Sequence, residues 1–141
     1  DLRVASETAR FGVQAVKWAV SPAGGSTVRL PRQMTMPRAL ELLLTGDLID
    51  ARTALEWGFL NRVVPPDAVL DTAIELAERI ARNGPLAVQA VRRSARACIG
   101  FTDEQALAME LQFAAPVFAS ADAREGPRSF IEKRAPVYQG R

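Results

Sequence analysis

Residues 11–32, FGVQAVKWAVSPAGGSTVRLPR, have the pattern of a pocket-lining segment followed by a tight turn and a helix start, yet they contain no carboxylate and no histidine. Because none of the 141 residues is a histidine, Ser-His-Asp and Cys-His nucleophiles and histidine-ligated metal sites are excluded. The single cysteine, Cys98, has no second thiol for an internal disulfide or a Cys-x-x-Cys metal site. Any proton transfer must therefore use Asp, Glu, Lys, Tyr, Cys or water, and we expect no metal site.

Composition limits the class of protein. Apolar residues make up 48% of the chain, enough to pack a core, and a net charge of +2 is too small by itself to indicate nucleic acid. No apolar run approaches the roughly 20 residues of a membrane helix, and the opening DLRVASETAR is too polar for a signal peptide. We therefore expect a soluble, cytoplasmic protein with no membrane partner.

The elements around the pocket-lining segment are short strands and a turn. Residues 1–5 alternate polar and apolar side chains as a strand does, and residues 9–13 are predicted to form a second strand. If that segment stays extended, Gln14 and its neighbour Ala15 face opposite sides. Residues 22–26 form a turn with two glycines, after which Ser26 or Thr27 caps a helix.

The rest of the chain is predicted to be mostly helical. Amphipathic periodicity predicts helices over 34–45, 67–83 and 85–98. Residues 50–58 form a short helix capped by Asp50, followed by a strand over 59–64. Further along, Thr102 and Gln105 form a capping box.

One proline and one aspartate predict helix boundaries in the C-terminal region. Pro116 should kink or end the helix that follows the capping box, because its ring cannot continue the hydrogen-bond ladder. Asp122 is expected to open a last helix that runs through Lys133.

Four stretches resemble, in order, the crotonase superfamily of enoyl-CoA hydratases and isomerases: FGVQAVKWAVSPAGGSTVRLPR, ALELLLTGDLIDARTALEWGFLNRVVP, NGPLAVQAVRRS and AREGPRSFIEKRAPVY. The resemblance implies an α/β fold, namely the C-terminal part of a ClpP-like spiral of ββα units with a helix-rich trimerisation region. Residues 1–65 then form the end of the crotonase core with the pocket-lining segment, and residues 66–141 form the helical assembly region. The resemblance also implies an N-terminal half upstream of Asp1, which carries the oxyanion-hole amides and the first catalytic carboxylate.

The resemblance assigns the candidate site residues. Family hydratases usually have F-G-x-P-E at this point, and Ala15 stands where that glutamate acts as general acid or base, so we expect no catalytic residue in this chain. The phenylalanine and lysine of the family's F-x-EKR ending, here Phe130 and Lys133, are expected to hold the adenine and phosphate end of CoA. The implied substrate pocket consists of Ala15, Trp18, Pro22, Ala23 and Gly24.

Two functions remain open. The first is an enoyl-CoA hydratase/isomerase-like enzyme of fatty acid metabolism, a lyase or isomerase whose acid or base lies elsewhere. The second is a catalytically silent acyl-CoA-binding or assembly subunit of the same fold. In both, the ligand is a coenzyme A thioester, no separate cofactor is needed, and the complete protein assembles as a trimer or a dimer of trimers. A nucleic-acid module built on Arg92, Arg93 and Arg96 lacks interleaved aromatic side chains, so no nucleic-acid partner is expected.

Overall fold

A computed structural model describes residues 1–141. The chain forms two compact units, residues 1–75 and residues 76–141. The first unit carries all four strands and the second is helical. No helix in either unit is long and apolar enough to cross a membrane.

The first unit contains two small sheets. Strand β1 (Val4–Ser6) pairs in parallel with β4 (Arg62–Val64), and β2 (Arg10–Phe11) pairs antiparallel with β3 (Ile49–Asp50). All three predicted strands exist but are shorter than the sequence pattern indicates. The parallel pair joins residues far apart in the chain, because a parallel connection needs a long crossover.

The core of this unit is small. It is a cluster of buried side chains with few large members, flanked by Phe11 and Phe59, whose rings meet edge to face at 5.6 Å between centroids. The cluster consists of Ala5, Ala51, Ala54 and Leu60.

The helices of the first unit begin and end largely where local signals place them. After α1 (Ser26–Arg29) comes α2 (Met36–Thr45), which ends at Gly46 in a left-handed conformation with a φ of 66°. The side chain of Asp50 caps α3 (Ala51–Glu56) by accepting a hydrogen bond from the Thr53 amide at 2.8 Å, as predicted. A 3₁₀ turn, Pro66–Ala68, leads into α4 (Val69–Ala81), which crosses the boundary between the units.

One prediction for the first unit is wrong, and the condition of a second one is not met. Neither Ser26 nor Thr27 caps α1, because the N-cap is Gly25 with a φ of 97° and no side chain bonds the free amides. The segment after β2 is not extended: Gln14–Trp18 is a 3₁₀ helix. Three residues per turn place neighbouring side chains about 120° apart. Gln14 and Ala15 therefore do not face opposite sides as strand residues would.

The second unit contains the C-terminal end of α4 and three further helices. Helices α5 (Pro85–Ala97) and α6 (Asp103–Phe118) pack against each other, and α7 (Ala121–Ile131) follows. The capping box of α6 is confirmed, since the Thr102 hydroxyl accepts from the Gln105 amide and the Gln105 side chain accepts from the Thr102 amide.

Two expected helix ends in this unit differ from the structure. Helix α6 continues two residues past Pro116 and ends at Phe118, so the proline is not itself the last helical residue. Helix α7 is capped by Ser120, whose hydroxyl accepts from the Ala123 amide at 3.1 Å, and Asp122 is not the opening residue. The Asp122 carboxylate instead accepts hydrogen bonds from the Gln139 and Gly140 amides at 2.7 and 2.8 Å.

Candidate functional site

The 3₁₀ helix Gln14–Trp18 is held in place by the end of α2. The Lys17 ammonium lies 2.7 Å from the Asp47 carboxylate, and the Lys17 methylene chain lies over Gly46. A Cβ atom on Gly46 would come within 3.0 Å of Lys17 Cγ and 3.2 Å of a Val16 methyl. The left-handed backbone therefore favours glycine at this position, and any larger residue would force the side chains of Lys17 and Val16 to shift by a few tenths of an ångström.

A second glycine, Gly12, allows the segment that precedes the 3₁₀ helix to pack closely against Asp47 and Leu48. A Cβ atom on Gly12 would lie 2.7 Å from the Asp47 carbonyl oxygen and 2.8 Å from the Leu48 side chain. Both distances are below van der Waals contact, so no side chain fits there without a shift. The F-G and L-T-G-D stretches, separated in the sequence, thus form one packed unit that positions residues 14–18.

Replacing Gly46 tests this packing. We expect Gly46→Ala to destabilise the full-length protein by about 1–2 kcal/mol for left-handed alanine, plus about 1 kcal/mol for crowding against Lys17 and Val16. The matched control is Gly58→Ala, since Gly58 also has a positive φ of 78° but nothing within 4 Å of its added Cβ. Urea unfolding of both variants measures the difference. Equal losses in the two variants would contradict the close packing at Gly46.

A cavity of about 250 Å³ lies beside this segment in the first unit. Its walls are mostly apolar, with polar groups from Ser26, Arg29 and Gln33. Sequence reasoning missed these three, although they follow the predicted turn within three helical turns. The larger apolar lining residues are Phe11, Val13, Leu30, Met34, Leu42, Ile49 and Phe59.

The structure does not bring the five predicted pocket residues together around that cavity. Gly24 is among the lining residues, whereas the other four are not. Ala15 and Pro22 are half-buried, and Ala23 is exposed. The Trp18 side chain is 79% exposed. In the 3₁₀ helix, Ala15 and Trp18 are three residues apart and share a face, while Gln14 shares a face with Lys17.

The predicted CoA-contact residues lie at the C-terminal end of α7. The helix ends in a Schellman motif: the Lys133 amide donates to the Phe130 carbonyl at 3.2 Å, and the Arg134 amide donates to the Ser129 carbonyl at 3.1 Å. Lys133 occupies the left-handed position that glycine usually takes, with a φ of 53°. A lysine there costs roughly 1–2 kcal/mol of backbone strain.

Two side chains at this turn are presented to solvent. The Phe130 ring is 85% exposed, although large aromatic side chains are usually covered. The Lys133 ammonium forms no ion pair within the chain. An exposed ring and an unpaired cation are therefore close together in the sequence at one helix end.

Ion pairs surround the turn. The Arg134 guanidinium donates to both carboxylate oxygens of Glu125, one of them at 2.8 Å, and to Glu132 at 2.6 Å. Hydrogen bonds from Arg134 and then from the Val137 amide lower the pKa of Glu125 to about 2. The same pairing raises the pKa of Arg134, with Glu125 as the larger cause. Both groups of the pair are therefore charged at neutral pH.

The chain is similar to known proteins over its whole length. The model of the enoyl-CoA hydratase/isomerase family matches residues 1–141. Enoyl-CoA hydratase EchA19 of Mycobacterium tuberculosis is 49% identical over 141 residues, which are 100% of this chain and 53% of that protein. Carnitinyl-CoA dehydratase of Citrobacter koseri is 37% identical over 145 residues, covering 100% of this chain and 56% of its own length. The chain thus spans about half the length of the curated relatives it matches.

Solved structures agree in fold. The enoyl-CoA hydratase of Bacillus anthracis superposes with a TM-score of 0.97 at 40% identity, covering 100% of this chain and 55% of that one. The enoyl-CoA hydratase of Mycobacterium tuberculosis H37Rv gives a TM-score of 0.95 at 40% identity, with 100% and 56% covered. These matches confirm the α/β crotonase-type fold expected from the sequence motifs. The chain belongs to the enoyl-CoA hydratase/isomerase family.

Proposed function

We propose that this protein binds acyl-CoA thioesters and acts on them as an enoyl-CoA hydratase does. The names of its relatives support this function: they include an enoyl-CoA hydratase, a carnitinyl-CoA dehydratase and, at 36% identity, the 2,3-dehydroadipyl-CoA hydratase of Escherichia coli. All three names describe the addition or removal of water on a CoA thioester. The thioester is the substrate in this proposal, and no separate cofactor takes part.

The observation that carries the proposal is the end of α7. CoA bears phosphate groups and an adenine ring, and the turn offers an unpaired Lys133 ammonium together with an exposed Phe130 ring. An ammonium is a compact partner for phosphate, and a phenyl ring offers a face on which adenine stacks. We assign the nucleotide end of CoA to these two residues.

The acyl group is assigned to the pocket-lining segment. Its support is that Gly24 borders a largely apolar cavity, which suits a hydrocarbon chain. Ala15 and Trp18, on one face of the 3₁₀ helix, and the turn at Pro22 and Ala23 do not line this cavity. In this proposal they contact the acyl group outside it.

We propose that the oxyanion donors and the first catalytic carboxylate lie in a different part of the domain from the pocket-lining segment. Enolate formation at a thioester needs oxyanion donors, each worth about 3–4 kcal/mol in the transition state. We propose that these donors and the first carboxylate come from a preceding N-terminal part of the same domain, so that the chain forms its C-terminal part. The small core and the exposed apolar side chains of the described residues support the need for further partners.

Self-association is part of the same proposal. Large apolar side chains on α5 and α6 remain exposed, among them Val91, Leu107, Leu111 and Phe118. Such faces favour burial against other chains. We propose assembly of the complete protein as a trimer or a dimer of trimers.

The second candidate function is a catalytically silent acyl-CoA-binding or assembly subunit. It is supported by Ala15, whose side chain has no proton to exchange. We propose that Ala15 takes the place of the glutamate that the family's hydratases usually carry. Binding of the thioester would be retained, because Phe130 and Lys133 lie on a different element.

One pair of measurements distinguishes the two functions. Calorimetric titration of the full-length protein with CoA and crotonyl-CoA is expected to show binding of both ligands. Hydration, followed by loss of enoyl absorbance, then decides between an active hydratase and a silent binder. Absence of binding to either ligand would contradict both candidates.

A further inference from the structure

We propose that Arg134, held by the Glu125 carboxylate, is the positioning residue that aims the Lys133 ammonium at CoA. The inference rests on the proposed CoA binding at the end of α7. Arg134 itself does not touch the ligand in this proposal. It acts by holding the backbone and the charges around Lys133.

The backbone of Lys133 must be held from both sides. A lysine does not favour a φ of 53°, so the conformation persists only where neighbouring contacts impose it. On the far side, Arg134 is tied by its amide to Ser129 and by its guanidinium to both oxygens of Glu125. On the near side, Glu132 accepts from Arg128 at 2.8 Å and from Arg134 at 2.6 Å. Lys133 thus lies between Glu132 and Arg134, whose side chains are both held by ion pairs.

The same contacts determine which basic side chain at this turn remains free to bind a phosphate group. Arg128 and Arg134 both have carboxylate partners, whereas Lys133 between them has none. Loss of the Glu125–Arg134 pair would release a carboxylate close to the turn. That carboxylate would compete with phosphate for the lysine.

The pair depends on the shape of arginine. A guanidinium donates two parallel hydrogen bonds to one carboxylate, which an ammonium cannot do. The Arg134 side chain also bonds the Ala135 carbonyl at 3.1 Å, so it holds the chain on the far side of the turn. Arg134→Lys therefore keeps the charge and removes the positioning.

The experiment measures CoA affinity by calorimetry on the full-length protein and on Arg134→Lys, Lys133→Gly and the double variant. We expect Arg134→Lys to weaken binding about tenfold, within the range of coupling between contacting residues. The double variant is expected to bind no more weakly than Lys133→Gly alone, because Arg134 acts through Lys133. Thermal melting checks that each variant is folded. If Arg134→Lys does not fold, Glu125→Gln keeps the side-chain shape and removes the charge that holds Arg134, so it should weaken binding through the loss of positioning alone.

The matched control is Arg52→Lys. Arg52 also pairs with a glutamate, Glu56, at 3.4 Å, but as an exposed helix pair in the first unit. It should leave CoA affinity unchanged.

The outcomes separate the inference from the proposed function. Unchanged affinity in Arg134→Lys, or a double variant in which the two losses add, would overturn the positioning role, the latter by indicating direct contact of Arg134 with CoA. Unchanged affinity in Lys133→Gly, or no CoA binding by the unmodified protein, would overturn the binding site itself.

Discussion

Ala15→Glu in the full-length protein is expected to raise kcat/KM for crotonyl-CoA hydration by about 10²- to 10⁴-fold, the range that a positioned acid or base contributes. Water addition to the enoyl thioester needs a group that exchanges a proton with the substrate carbon. Alanine has none, and no histidine is present to take the role. A steady-state assay of both proteins with a series of enoyl-CoA substrates measures the change.

The 3₁₀ helix provides a matched control for this gain. Gln14→Glu introduces the same carboxylate one residue earlier, about 120° around the helix and on the face of Lys17. That variant should not raise the hydration rate. If Ala15→Glu gives no gain while the unmodified protein already hydrates crotonyl-CoA efficiently, Ala15 is not a catalytic defect and the acid lies elsewhere. An equal gain in both variants would show that the position of the carboxylate is immaterial.

Lys133→Gly is expected to weaken CoA binding by roughly ten- to a hundredfold without lowering stability. A charge-assisted hydrogen bond to phosphate is worth about 1.5–3 kcal/mol, and about 1.4 kcal/mol corresponds to a factor of ten in affinity. The fold should tolerate the change, because Lys133 occupies a left-handed position that glycine adopts without strain. Calorimetry with CoA measures the affinity, and urea unfolding measures the stability.

Lys133→Ala separates the charge from the backbone. It removes the same ammonium but keeps the left-handed strain, so its CoA affinity should match that of Lys133→Gly while its stability is lower. Glycine removes the backbone strain of the folded state. Part of this stabilisation is lost, because glycine also raises the conformational entropy of the unfolded chain. Affinities that follow stability instead of charge would refute the phosphate contact.

The sequence determined those features that depend on neighbours within a turn or two. The Asp50 cap, the Thr102 and Gln105 capping box and the stop at Gly46 are each made by groups at most four residues apart. A side chain that close to a free amide finds it in almost any tertiary setting. The family motifs could also be identified from the sequence, because a motif consists of residue types in a fixed order and is defined without reference to tertiary contacts.

The sequence alone did not show which of two neighbouring residues would cap helix α7. Ser120 and Asp122 are both good caps, and only the folded chain shows that the Asp122 carboxylate binds the returning amides of Gln139 and Gly140. The sequence also left the shape of residues 14–18 open, since opposite faces for Gln14 and Ala15 were expected only if the segment was extended. In the folded chain these residues form a 3₁₀ helix, which the contact of Lys17 with Gly46 and Asp47 favours.

Tertiary structure alone decided the roles of the glycines and of the C-terminal cations. Gly12 and Gly46 could be read as turn formers, yet each lies where a segment about thirty residues away packs so closely that an added Cβ atom would fall inside ordinary van der Waals contact. Arg128, Lys133 and Arg134 have the same charge in the sequence, and only the folded end of α7 leaves Lys133 without a partner. Caps act through bonds within one turn of the chain, whereas packing and ion pairing depend on which distant atoms meet, and a local pattern carries no record of that.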